Sequence, residues 1–288
     1  MLIIIGNTKI GKALHVNLPL GAPRGLKFEA FISGTCPGAS LWCLENCYGI
    51  DRPPSEDPES LEALKKAIEL SLRDLKAFKE AIVRELLDKG RALEESGDTL
   101  DDGSVPVRLH IVGDFYLPDY ARTWLDIVDE LRGLKFRFWT YTKSWWMEKV
   151  AETYAKIRLS NPKVLAEELF DMLQELRTRN NFKLYASTDK TMPDITKRPE
   201  MRGWLEAGIE FTYNEKSITC PEIPCVACKY CIYGKGHVKF MERRNKVRPI
   251  PKPWKTPLSP REWRILLKAK REEIEWYIKS LKLLQNPL

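Results

Sequence analysis

Four apolar runs of strand length, each closed by small polar or charged residues, constrain this chain more than any other feature. Residues 107–112 end in Gly113 and Asp114, residues 135–141 in Thr142, Lys143 and Ser144, residues 182–186 in Ser187, Thr188 and Asp189, and residues 209–213 in Asn214 and Glu215. A further alternating run at 26–33 is ended by Gly34. Between the four runs, helical patterns with apolar spacings of three and four cover 119–131, 145–157 and 164–176, with a shorter helix near 200–206. Strands joined by helices pair in parallel, because the crossover carries each new strand back to the same end of the sheet. The expected fold class is therefore α/β, as an open wound sheet or as a closed or partial barrel. Polar side chains delivered at every carboxyl strand end favour a partial (β/α) barrel, whose loops at that end converge on one site.

The flanks are simpler. Residues 7–19 read as a strand pair turning near Gly11. Residues 59–95 read as one long helix, or two with a kink, from the apolar spacing of Leu61, Leu64, Ile68, Leu72, Leu75, Phe78, Ile82 and Leu86. Residues 237–241 suit a last short strand. Five prolines between 249 and 260 make an extended linker, and Ser259 with Pro260 caps a final helix to about Leu284. The division expected is a barrel over 1–233 that carries both cysteine groups, and a basic, proline-rich extension with a helix over 234–288.

Composition excludes several classes. With 43% hydrophobic and 30% charged residues, the chain is too apolar for disorder and too evenly charged for a membrane protein. The apolar stretch Met1–Ile5 is too short for a signal peptide or a spanning helix, so a soluble cytoplasmic protein with no membrane partner is expected. Abundant Glu, Lys and Arg with few Gln fit a heat-adapted source. Charge is uneven: residues 234–288 hold 15 Lys and Arg against 5 Asp and Glu, a local +10 against +7 for the whole chain. That basic tail is a candidate surface for nucleic acid, or simply a solvated face.

Seven cysteines fall into two groups, Cys36-x6-Cys43-x3-Cys47 and Cys220-x4-Cys225-x2-Cys228-x2-Cys231. Such clustering points to thiolate ligation of metal. Three thiolates hold three corners of a 4Fe-4S cubane and leave one iron open to a small molecule, whereas His15 or Asp51 as a fourth ligand would make the first group a zinc site. Four thiolates in the second group close a second 4Fe-4S cluster or a zinc site, suited to a structural role or to electron relay.

A strand, a three-cysteine loop ending in Cys47-Tyr48, and repeated strand and helix units resemble the radical S-adenosylmethionine enzymes. Their usual spacing is C-x3-C-x2-C, so the likeness is to the architecture. More closely, Leu18-Pro19, Thr35-Cys36-Pro37-Gly38-Ala39, Cys43 to Tyr48, the run Arg108 to Phe115 and the run Phe138 to Ser144 resemble the phage and plasmid gene product 88 family, itself similar to radical S-adenosylmethionine proteins. The likeness spans roughly residues 7–231.

The resemblance implies reductive cleavage of S-adenosylmethionine to a 5′-deoxyadenosyl radical acting on a nucleic acid or protein substrate, with an electron donor as partner. Gly113 and Asp114 stand where a glycine-rich turn meets the methionine amino group. Ser187, Thr188 and Asp189 stand where ribose or carboxylate contacts are expected, and Tyr48 where adenine stacks. Asp114 and Lys143 are the candidate catalytic residues, and Lys143, His110 and Glu215 point by the strand-end argument into one cavity. Plainer readings exist beside these: Asp114 capping a helix, Tyr48 in the core, and 187–189 as an Asx-type turn. The competing function is a non-catalytic iron–sulfur or zinc protein of a mobile element that binds nucleic acid through its tail.

Overall fold

The structure, a computed structural model, describes residues 1–7, 10–18, 35–40, 42–43, 58–111, 113–156, 159–209, 217–221 and 223–240. Among these residues the strands are β1 (Ile4–Asn7), β2 (Gly11–Val16), β3 (Val105–Leu109), β4 (Phe136–Thr142), β5 (Phe182–Thr188), β6 (Leu205–Gly208), β7 (Ile218–Thr219) and β8 (Val238–Lys239). The helices are α1 (Pro58–Arg73), α2 (Leu75–Glu95), α3 (Pro118–Glu130), α4 (Met147–Lys156), α5 (Pro162–Arg177) and two single turns, α6 (Cys225–Cys228) and α7 (Tyr230–Tyr233). The strand expected at 26–33 and the tail beyond 240, with its linker and helix, lie outside the described residues.

All the strands join one mixed sheet in the order β1-β2-β3-β4-β5-β6-β8-β7, which does not close on itself. β1 runs antiparallel to β2, and every later pairing is parallel. From β2 to β6 spatial order follows chain order, so the winding never reverses there and no switch point interrupts it.

Alternation along the strands explains the two faces of the sheet. In β4, Phe136 and Phe138 enter the main core while Trp139 and Tyr141 point the other way; in β5, Phe182, Leu184 and Ala186 oppose Tyr185. The first set meets Phe78, Ile82 and Leu86 of α2, Tyr120, Trp124 and Ile127 of α3, and Leu169 and Leu173 of α5. This is the helical face. Ala13, Trp139, Tyr141, Tyr185 and Ala207 line the opposite face, where Cys225, Val226, Cys231 and Ile232 pack.

The change of face follows from topology. β8 lies between β6 and β7, so the chain moving from β7 to β8 steps back along the sheet. A right-handed crossover that steps backward must pass over the face opposite to those that step forward. The second cysteine group occupies that crossover.

One expectation needs correction. The helix near 200–206 is instead a pair of tight 3-10 turns, Ile195–Lys197 and Pro199–Met201, followed by β6, which starts at Leu205. Pro199 supplies no backbone donor, and three turn residues cannot extend into a helix before Trp204 is taken by the core. β6 runs to Gly208, and the strand read at 209–213 lies, apart from Ile209, outside the described residues. The long helix divides at Asp74, whose side chain accepts the Ala77 amide at 2.9 Å and opens α2.

Candidate functional site

The carboxyl ends of β3, β4 and β5 carry the residues singled out by sequence. Asp114 follows β3 and is buried. One of its carboxylate oxygens accepts from the Phe115 amide at 2.7 Å and the Thr142 hydroxyl at 2.6 Å, and the other from the Lys143 amide at 2.8 Å and the Ser144 amide at 3.2 Å. Both oxygens are thereby engaged by protein donors, and the carboxylate ties the loop after β3 to the loop after β4. Burial outweighs these hydrogen bonds and pushes the acid up to about 6. Asp114 thus ties the two rim loops together, and it does not cap α3, which begins behind Leu117 with no side-chain cap.

Lys143 leaves β4 and reaches the end of β5. Its ammonium lies 2.7 Å from Asp189 and 3.2 Å from the Met192 sulfur, nearly sealed from solvent. Asp189 also accepts from the hydroxyls of Ser40 and Thr191 and from the Thr191 amide. Burial alone would raise this carboxyl, but Lys143 beside it and these hydrogen bonds hold it below the usual range.

The first cysteine loop is laid across this rim. Ser40 donates to Asp189 and accepts the Cys43 amide at 3.0 Å, Pro37 accepts the Thr153 hydroxyl at 2.8 Å, and the Trp42 amide donates to Thr191 at 3.4 Å. Gly38 lies so close to the β4 loop that a Cβ would sit 2.0 Å from the Lys143 carbonyl oxygen. At the end of β3, Gly113 has φ +88°, and a Cβ there would meet Leu18 at 2.7 Å. Cys36 and Cys43 therefore stand over the ends of the parallel strands. Cys47, Tyr48, Asp51 and Glu215 lie outside the described residues.

Other expected contributors are placed differently. His110 adopts φ +52°, which turns its ring onto the helical face, where Nε2 lies 2.9 Å from the Tyr120 hydroxyl and the ring packs edge-on against Phe115 and Trp124. It does not reach the rim, and burial lowers its pKa to about 3. His15 has Nε2 3.3 Å from the Gly6 carbonyl and Nδ1 3.0 Å from the Asn17 amide, so both ring nitrogens are occupied. Thr188 donates to Glu206 at 2.6 Å, and the Ser187 carbonyl accepts the Trp145 indole at 2.9 Å. Sequence reasoning missed Ser40, which links the cysteine loop to Asp189, and nothing in its local pattern marks it.

One cysteine of the second group lies near a buried charge. Cys231 faces Tyr141, with which it hydrogen-bonds, and is electrostatically coupled to Cys220, Cys225 and Arg108. Burial pushes its thiol up to about 11. Among the described residues, no three His, Cys, Asp or Glu side chains form a group that could hold a metal ion as they stand. Nor is any described helix long and apolar enough to cross a membrane.

Fold and rim together define an α/β protein with a singly wound parallel wall, a cysteine loop over its carboxyl edge and a cysteine-bearing crossover on its non-helical face. The chain belongs to the Gene product 88 family, whose sequence model it matches over residues 1–232. It is similar to the Gene 88 protein of Mycobacterium phage D29, with 24% identity over 261 residues that cover 82% of this chain and 89% of the relative. The Gene 88 protein of Mycobacterium phage L5 is 23% identical, with the same coverage of both chains. No solved structure matches it.

Proposed function

We propose that this chain is a radical S-adenosylmethionine-like iron–sulfur enzyme, its wall a partial barrel of that type, acting on a nucleic acid or protein substrate. The observation that carries the reading is the docking of the Cys36–Cys43 loop on the carboxyl rim through Gly38, Ser40 and Thr153. The unreversed strand order from β2 to β6 supports a barrel wall, and such walls gather their reactive groups at this end.

Cys36, Cys43 and Cys47 would hold the first 4Fe-4S cluster. When bound, that cluster supplies the electron that splits S-adenosylmethionine into methionine and a 5′-deoxyadenosyl radical. The chain's own residues then have defined tasks. Asp114 fixes the two rim loops against each other, and the buried Lys143–Asp189 pair holds Ser40 and hence the cysteine loop. Because Asp114 and Asp189 are both engaged, the contacts that remain for the ligand's polar groups would fall to Ser187 and Tyr48.

The test is anoxic purification of the full chain, iron and sulfide analysis, and incubation with dithionite and S-adenosylmethionine. Formation of 5′-deoxyadenosine and methionine, abolished in Cys36→Ala, is the expected result. Iron-loaded protein that yields neither product refutes the enzyme. The charge asymmetry favours a second reading, a metal-bearing protein that binds nucleic acid through its basic residues 234–288.

A further inference from the structure

We infer that Lys183, Lys235 and the ring of Tyr233 form a surface for single-stranded nucleic acid on the body of the chain, an inference that rests on the nucleic-acid reading of the basic region 234–288. Lys183 lies near the start of β5 and shares the non-helical face with Tyr185, opposite Phe182 and Leu184 of the core. Its stem runs along Gly234, where a Cβ would sit 2.7 Å from the Lys183 Cδ. The half-buried ammonium has no hydrogen-bond or ion-pair partner, while Arg137 of the neighbouring β4 adds like charge; burial and that charge push its pKa down.

Tyr233 closes α7 just before this glycine, and its half-buried ring has the Arg137 guanidinium 4.8 Å from its centroid and the Lys235 ammonium at 5.9 Å. The other charges that act on the ring are answered within the protein. Asp102 takes the Nε and Nη2 of Arg137 at 2.7 and 2.6 Å, and Asp101 takes Lys229. Arg137, Lys183, Lys229 and Lys235 thus meet two carboxylates, and the ammonium groups of Lys183 and Lys235 are left over on either side of Gly234. Two unanswered cations beside an aromatic face fit a strand that supplies phosphates to the lysines and a base to stack on the ring. A duplex keeps its bases stacked inside and would engage the lysines alone. The basic stretch of the sequence begins at Gly234 itself, so this surface adjoins the point where that stretch leaves the sheet-bound turns.

The probe is a fluorescein-labelled oligothymidylate of about twenty nucleotides, titrated with the full chain by anisotropy across a salt series. Lys183→Gln and Lys235→Gln should each weaken binding and flatten the dependence of log K on log salt by about 0.7, the loss of one phosphate contact to a single strand. Tyr233→Leu should weaken binding about tenfold at every salt concentration, while Tyr233→Phe, which keeps the ring, stays near the parent. Lys163→Gln, which removes an exposed lysine from α5 on the helical side, controls for net charge. If the parent chain does not bind the oligonucleotide, the nucleic-acid reading fails and the inference with it. If the parent binds and the Lys183 and Lys235 variants behave like Lys163→Gln, that reading stands and this surface is overturned. If the lysine variants lose affinity but Tyr233→Leu does not, the surface takes phosphate alone and its assignment to a single strand is overturned.

Discussion

At the scale of single residues, the rim is governed by two buried carboxylates in opposite electrostatic states. Asp114 has its folded-state pKa raised from 3.8 to about 6, chiefly by burial. Between about pH 4 and pH 6 the folded protein therefore binds the proton that the unfolded chain has released, so this group's contribution is full below the lower value and is lost as pH rises through about 6. Two units correspond to about 3 kcal/mol. Denaturant unfolding from pH 4 to 7 should show this loss in the wild type, and Asp114→Asn should flatten that component while lowering stability throughout, since an amide nitrogen cannot accept from the amides of Lys143 and Ser144. Asp189 behaves as an ion-paired acid. Lys143→Met should cost about 3 kcal/mol by stranding that carboxylate, and adding Asp189→Asn should recover part of the loss, as a double-mutant cycle in urea would read. Neither state was legible beforehand: sequence marked Asp114, Lys143 and Asp189 as strand-end polar residues, but which partner each would find depends on loops brought together from distant positions. His110 shows the same limit, since its left-handed backbone angle inverts the direction that strand alternation predicts.

At the scale of elements, the strand ends were readable because apolar alternation and terminal polar clusters are local signals. β3, β4 and β5 fall within a few residues of their expected spans, and the α1–α2 division at Asp74 is the kink the periodicity allowed. Asp74→Ala removes the only side-chain acceptor at the start of α2 described for that cap and should cost about 1 kcal/mol by thermal unfolding. What local signals could not convey was the step back from β7 to β8, and with it the face on which the second cysteine group lies. β6 was read as the end of a helix for a related reason: a strand of four residues has too little alternation to outweigh the apparent helical spacing just before it. The first cysteine loop depends on one close approach. Gly38→Ala must lift the loop from the Lys143 carbonyl, and Cys36 and Cys43 should then alkylate faster with iodoacetamide in the metal-free protein, read by mass spectrometry of the labelled peptides.

At the scale of the whole molecule, the wall from β2 to β6 is bound by neighbours in the chain, while β7 and β8 are joined through the cysteine-bearing crossover. If both groups carry cubanes, anoxically isolated protein should contain about eight irons per chain. The basic region has its own signature: duplex DNA binding by the full chain should fall steeply between low and moderate salt, and truncation after residue 240 should abolish it. The placement of β8 between β6 and β7 has a further consequence for how the molecule is finished. Among the described residues β7 borders the sheet and reaches β6 only through β8, and the segment that joins β7 to β8 is the one that carries the second cysteine group. If the second cysteine group holds a metal, its removal should loosen this border ahead of everything else, with amide exchange quickening over 218–239 while 105–109 and 136–142 stay protected.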